Sequence, residues 1–209
     1  MFDILAVYEM FHNHPYLALF RNLKKPTSFI DIGGYNGDSA VYAARFLKIH
    51  DMVVIEPLQS NFEALKSNLD LNSVKRCLAV QGVVSTTSGK KSVYEYANRR
   101  QTGLADLAHL NAPKLVESVN LKDLIKTTKT KHLILKCDAE GAEYEIFSRT
   151  PTNVLKRFDR ILFEYHCGYF MREKDVNSLV NRLTGIGFKC AVTPNSLLPG
   201  LGYVVCSKS

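Results

Sequence analysis

No apolar run in the 209 residues approaches the roughly 20 that span a bilayer. The longest, such as Met52–Ile55 and Leu133–Leu135, stop after a few residues. No basic stretch precedes the apolar start, and Asp3, Glu9 and His12 interrupt it, so no signal peptide is read there. None of the five cysteines (Cys77, Cys137, Cys167, Cys190 and Cys206) forms a Cys-x-x-Cys pair, which argues against a zinc site. Their odd, scattered count predicts reduced, mostly buried thiols in a cytoplasmic protein. No repeat, low-complexity stretch or Pro/Gly-rich linker divides the chain, and its length suits one domain. At 46% hydrophobic and 22% charged, the composition excludes disorder, collagen and coiled coil.

Positive charge is in excess: 27 Lys+Arg against 20 Asp+Glu give +7. The basic residues are spread, at Lys24-Lys25, Lys90-Lys91, Arg99-Arg100, and Lys126, Lys129 and Lys131. A solvated surface with a mild positive bias is favoured over a nucleic-acid interface.

Apolar periodicity predicts helices over the first two dozen residues, interrupted at Pro15. Residues 1–27 are therefore read as a helical segment, serving as a lid or facing the substrate, ahead of a main domain over 28–209. Strands then alternate with helices. Strands are predicted at Ser28–Ile32, Met52–Glu56, Leu78–Val84, Leu115–Val119, His132–Asp138 and Arg160–His166. Helices are predicted over Asp38–Lys48, from a capping box at Ser60–Glu63 onward, and over Leu121–Thr127, Ala142–Ser148 and Val176–Leu183. A hairpin is expected around Val93–Tyr96 and a polar loop at Ala97–Gly103. Such alternation defines an α/β fold with a mostly parallel sheet. The last two strands, Phe188–Thr193 and Gly202–Ser207, leave no room for a crossover helix and must pair antiparallel.

The chemistry concentrates at strand ends. Asp31-Ile32-Gly33-Gly34-Tyr35-Asn36-Gly37 follows a strand and opens a helix, as a nucleotide loop requires. It is not G-x-G-x-x-G, and Asp31 would repel a pyrophosphate. The same carboxylate suits a cationic ligand such as S-adenosylmethionine, whose own carboxylate suits a helix N-terminus. Glu56 ends the second strand, where a carboxylate can accept both ribose hydroxyls. Gln81, Gly82 and Val83 at the end of the third strand are expected beside the adenine.

Several segments together carry a resemblance. They are Asp31–Gly37; Val54-Ile55-Glu56-Pro57 with Asn61–Leu65, Asn68 and Asn72; Leu135-Lys136-Cys137-Asp138-Ala139-Glu140-Gly141-Ala142-Glu143; and Leu162-Phe163-Glu164-Tyr165-His166. Over about residues 28–170 the chain resembles the FkbM family of S-adenosylmethionine-dependent methyltransferases. The D-x-E-G-x-E segment, followed by a strand ending in E-x-H, is its most specific part. The resemblance implies a Rossmann-like seven-stranded fold with an antiparallel C-terminal strand. It also implies methyl transfer to a hydroxyl of a sugar or other small molecule. Gly34 and Gly82 stand where the family more often has alanine.

On this reading Asp31, Gly33, Gly34, Tyr35, Asn36, Gly37, Glu56, Pro57, Gln81, Gly82, Val83 and Asp138 hold S-adenosylmethionine. His166 is the expected general base, since a histidine titrates near neutrality. Glu164, on the same strand face, and Glu140 are the expected helpers. Asp138, Glu140, Glu164 and His166 also form a hard-ion set, but a catalytic metal is not favoured. RNA methylation is kept as an alternative because of the +7 charge and because Asn98–Gln101 lies beside Tyr94 and Tyr96. A non-catalytic nucleotide-binding module is the alternative of another class.

Overall fold

Met52–Ile55, Leu133–Leu135 and Ile161–Phe163 are apolar without alternation, a pattern that only a sheet covered on both faces satisfies. The sheet is present in a computed structural model of the chain, which describes residues 19–23, 25–95, 102–103, 113–167, 175–196 and 198–208. In chain order the elements begin β1 (Thr27–Ile32), α1 (Asp38–Phe46), β2 (Ile49–Glu56), α2 (Gln59–Leu71), β3 (Cys77–Gln81) and β4 (Val83–Val84). There follow β5 (Lys90–Glu95), β6 (Thr102–Gly103), β7 (Lys114–Val119), α3 (Leu121–Thr127) and β8 (His132–Cys137). The last are α4 (Glu143–Arg149), α5 (Thr152–Leu155), β9 (Arg160–His166), α6 (Val176–Gly185), β10 (Phe188–Pro194) and β11 (Leu201–Lys208).

Seven strands lie in the order β3-β2-β1-β8-β9-β11-β10. β1, β2, β3, β8 and β9 are mutually parallel. β11 runs antiparallel to both of its neighbours, as the short final connection demands. On one face Phe29, Met52, Val54 and Ile134 pack under Ala40 and Ala43 of α1 and Leu65 and Leu69 of α2. On the other face Ile30, Ile32, Val53, Leu135 and Phe163 pack under residues of α3 to α6, among them Leu124, Phe147, Leu155 and Leu183. Consecutive residues of β1 and β8 thus serve opposite cores, which explains the unbroken apolar runs. Among the described residues no helix is long and apolar enough to cross a membrane.

Four expectations change. The third strand does not continue to Val84. It breaks at Gly82, and β4 leaves to pair with β7 in a second sheet of order β4-β7-β5-β6. A Cβ at Gly82 would lie 3.0 Å from the Glu117 carbonyl oxygen, so the two chains cross here in close contact. The Ser60–Glu63 capping box is not used. α2 begins at Gln59 with Leu58 as N-cap, and the Glu56 side chain accepts from the Leu58 N–H at 3.0 Å. A carboxylate from the strand end caps the helix instead.

Cys190 and Cys206 are not free thiols. They stand opposite each other on β10 and β11, Cα atoms 4.0 Å apart, and form a disulfide, leaving Cys77, Cys137 and Cys167 free. The argument from reduced thiols to a cytoplasmic location therefore falls. Last, the hairpin strand is longer than expected, Lys90–Glu95, and pairs antiparallel with β7. Most of the N-terminal helical segment, and the basic stretch Asn98–Gln101, lie outside the described residues.

Gly34, where alanine is common in the resembling family, packs against Val54. A Cβ there would lie 2.2 Å from Val54 Cγ1. Gly34→Ala should therefore lower unfolding stability by about 1–3 kcal/mol through overpacking. Adding Val54→Ala should return part of that loss, because the methyl group then has room. Denaturant melts of the two variants check this, and equal destabilisation in both would contradict it.

Candidate active site

The turn after β1 is folded onto both neighbouring strands. The N–H groups of Gly33 and Gly34 donate to the Ile55 carbonyl at 3.0 and 2.9 Å, and the Gly37 N–H donates to the Gly34 carbonyl at 2.8 Å. Gly33 has φ +79°, and a Cβ on it would stand 1.7 Å from the Asp138 carbonyl oxygen. Only glycine fits there. Tyr35 also takes a left-handed φ of 48°. Asn36 is buried, and its carbonyl accepts from Asn68 Nδ2 of α2 at 2.7 Å.

Asp31 does not reach a ligand space. It is fully buried, and its Oδ1 accepts from Lys136 Nζ at 3.0 Å. Its Oδ2 accepts from Ser39 Oγ in the first turn of α1. The expected direct contact with a cationic ligand is thus corrected, because both oxygens are engaged inside the fold. Lys136, which sequence reasoning passed over, also donates to the Gly33 carbonyl at 3.0 Å.

Glu56 is 2% exposed and lies between two residues that line a cleft, Ile55 and Pro57. Its Oε2 accepts from the Tyr35 N–H at 2.9 Å. Its Oε1 accepts from the Leu58 N–H at 3.0 Å and from Asn61 Nδ2 at 3.2 Å. A carboxylate has about four acceptor positions, so three internal donors leave room for one more hydroxyl, not the two expected. Burial raises the Glu56 pKa to about 7, against the opposing effect of these three donors and of Lys136.

The cleft itself, about 410 Å³ including space open to solvent, runs along the carboxyl ends of β1, β2 and β8. Ile32, Ile55, Pro57, Val83, Val84 and Val93 make its walls apolar, and Gly33, Gly82, Asp138, Ala139 and Ala142 complete it. Gln81 is not among them. Its side chain is exposed and donates to Gln59 Oε1 at 2.7 Å, away from the residues that line the cleft.

Beyond Asp138 lies the acidic end. Gly141, with φ +106°, turns the chain into α4, and its N–H donates to Glu143 Oε2 at 2.7 Å. Glu143 is fully buried, and its Oε1 lies 3.1 Å from His166 Nδ1 and 3.2 Å from the His166 N–H. Glu140 Oε2 lies 3.2 Å from the other ring nitrogen, Nε2. His166 is therefore clamped between two carboxylates. Burial opposes its charge, but the hydrogen bonds and charges of Glu140 and Glu143 outweigh it, and the pKa is pushed up to about 12. An imidazolium cannot accept a proton, and with both ring nitrogens facing carboxylates this geometry does not favour the general base expected at His166.

Burial raises the pKa of Glu164 well above the usual carboxylate range, and a hydrogen bond to Asp138 adds to this. Burial likewise raises Glu140. One ligand atom each of Asp138, Glu140 and His166 lies within 4.8 Å of the others, near enough to surround a divalent ion. A histidine ligand must be unprotonated, however, and both ring nitrogens here face carboxylates. Glu143, the second partner of His166, was legible only as part of a motif; nothing in the spacing shows that it turns back.

A Rossmann-like sheet with an antiparallel last strand thus carries a glycine turn, an apolar cleft and a cluster of acidic groups at its strand ends. The family described as "Methyltransferase FkbM domain" matches residues 31–190. The chain belongs to that family of S-adenosylmethionine-dependent methyltransferases. No curated protein matches it by sequence. Among solved structures it is similar to a precorrin-6y C5,15-methyltransferase from Geobacter metallireducens GS-15. The identity is 13%, the match covers 93% of this chain and 86% of that one, and the TM-score is 0.51. An rRNA methylase from Streptococcus thermophilus is 12% identical over 93% of this chain and 94% of that one, with TM-score 0.57. A Streptococcus mutans protein in complex with S-adenosylhomocysteine is 13% identical over 94% and 96%, with TM-score 0.57. At such identities these likenesses establish the fold.

The residues present fit an adenosyl group: apolar walls for a flat ring and a carboxylate at the end of β2. If Glu56 accepts a ribose hydroxyl, its ionised form binds best. Affinity for S-adenosylhomocysteine should then rise about tenfold between pH 6 and pH 8, as a group of pKa about 7 loses its proton. In Glu56→Gln the profile should be flat and the affinity lower throughout. Calorimetric titration across this range decides, and an unchanged slope in the variant would remove Glu56 from the site.

Proposed function

We propose that the protein transfers a methyl group to a hydroxyl of a sugar or another small polyhydroxylated molecule. The supporting observation is the composition of the space beyond Asp138. Asp138, Glu140, Glu143 and Glu164 surround a single imidazolium, with Lys136 turned back toward Asp31. Carboxylates accept hydrogen bonds from hydroxyls and repel phosphates. A polyol is therefore favoured at this end, and an RNA backbone is disfavoured. The +7 net charge supports the second reading, RNA methylation, because it would attract phosphates to the outer surface.

S-adenosylmethionine, when bound, supplies a carbon already carrying a good leaving group. The chain's own residues then have three tasks: to exclude water, align the acceptor and take its proton. The apolar walls around Val83 and Val84 serve the first. For the third, Glu140 is the best placed group. Its side chain is 24% exposed, it lies at the mouth of the acidic end, and burial makes it a stronger base than an ordinary carboxylate. His166 holds Glu140 in place through Nε2 and is itself held by Glu143 through Nδ1. Asp138 and Glu164 share a hydrogen bond and offer oxygens to the acceptor's other hydroxyls.

Methyl transfer from labelled S-adenosylmethionine to a panel of sugars and glycosides, beside bulk RNA, tests this reading. A labelled methyl ether on a small acceptor is the expected product. Labelled RNA with no small-molecule product would reverse the order of the two readings. With an authentic acceptor, Glu140→Gln should slow the chemical step by roughly 10²–10⁴-fold and leave S-adenosylhomocysteine affinity nearly intact. Full turnover in that variant would take the base role from Glu140.

A further inference from the structure

Lys136 and Asp31 form a fully buried ion pair that takes no part in the chemistry above. They are register partners across the parallel ladder of β8 and β1, and both lie beneath α1. A buried ion pair is weak evidence for stability, because removing two charges from water costs about as much as their attraction returns. The pair alone gives no reason for a lysine at this place.

The second bond of Lys136 supplies one. The ammonium donates to the Gly33 carbonyl at 3.0 Å. That carbonyl belongs to the same planar peptide unit as the Gly34 N–H, which donates to the Ile55 carbonyl at 2.9 Å. One end of the unit is thus anchored to β8 and the other to β2. Two anchors at opposite ends of a rigid plane set its orientation. Gly33 lies against the Asp138 carbonyl and lines the cleft, so the orientation of this unit shapes the floor of the site. A methionine at position 136 would fill similar volume and leave the Gly33 carbonyl without its donor.

We propose that Lys136 is a positioning residue for the methyl donor, orienting the Gly33–Gly34 peptide unit through its bond to the Gly33 carbonyl. Asp31, itself held by the Ser39 hydroxyl, keeps the ammonium in place for that task. Three variants separate this role from a merely structural one, with thermal melting and calorimetric affinity for S-adenosylhomocysteine measured on each. Lys136→Met alone orphans the Asp31 carboxylate and should lose both stability and affinity. Asp31→Asn combined with Lys136→Met removes the orphan charge. It should recover most of the melting temperature and still bind S-adenosylhomocysteine at least about tenfold more weakly than wild type, the loss typical of one charge-assisted hydrogen bond. Ser39→Ala weakens the network around Asp31 but leaves the bond to Gly33. It should melt lower than wild type and keep its affinity within about twofold.

Recovery of both stability and affinity in the double variant would overturn the proposal. So would affinity that falls with melting temperature along one line through all three variants. Should the double variant not fold, Lys136→Arg takes its place. Arginine keeps a charge for Asp31 and donors for Gly33, so affinity should survive better than melting temperature, and the reverse pattern would overturn the proposal.

Discussion

The Cα of Gly33 rests on the carbonyl of Asp138, and no larger residue can lie between them. The rest of the site follows from this contact. β1 and β8 run side by side in register and end at the same level, Ile32 opposite Cys137. The Asp138 N–H then bonds the Ile32 carbonyl at 2.9 Å, which ties the first residue after β8 to the last of β1. On the proposed reading, a methyl donor at the turn after β1 and a proton acceptor carried after β8 would be positioned by one pair of strands. Transfer demands that donor and acceptor be aligned to a fraction of an ångström. Adjacent parallel strands meet that demand more directly than loops from distant parts of the fold.

Charge at the strand ends is arranged in two compartments. On the α1 side Lys136 compensates Asp31 in a fully enclosed pair. On the cleft side four carboxyl groups lie near one histidine: Glu140 and Glu143 face its two ring nitrogens and raise its pKa, and burial together with the Asp138 charge raises that of Glu164. Like charges this close cannot all ionise, so protons are held where an isolated residue would release them. The proposed acceptor end is consequently a set of carboxyl oxygens gathered around one histidine, an arrangement that suits a ligand rich in donor groups.

The architecture was legible because it rests on local signals. Short β-rich runs end in glycine or proline, amphipathic segments lie between them, and a final strand pair is too close for a crossover. What was not legible depends on residues that meet only in space. Glu56 could be read as a strand-end acid, but not as the cap of α2, since the capping donors come from its own next turn and from Asn61. The E-x-H of β9 suggested a histidine base, because the sequence places only Glu164 beside it. The residue that alters its chemistry, Glu143, is 23 positions earlier. Cys190 and Cys206 are 16 positions apart, and only the antiparallel register of β10 and β11 brings them together.

Lys136 shows the same limit in sharper form. Lysine in the middle of Leu135-Lys136-Cys137 reads as an interruption of an apolar strand, and a buried lysine is rare. Its place becomes intelligible only when Asp31, held from α1 by Ser39, and the Gly33 carbonyl converge on it from β1 and the turn after it. Those three groups come from one contiguous stretch of nine residues, 31 to 39, whereas Lys136 arrives from more than 90 positions away. The glycine turn has its own backbone bonds within that stretch and to β2, but they leave the Gly33 carbonyl facing the interior. An internal carbonyl in that position requires a donor, and at this depth β8, register-paired with β1 there, brings one in the Lys136 ammonium. The sheet order that puts β8 beside β1 is thus also what completes the turn.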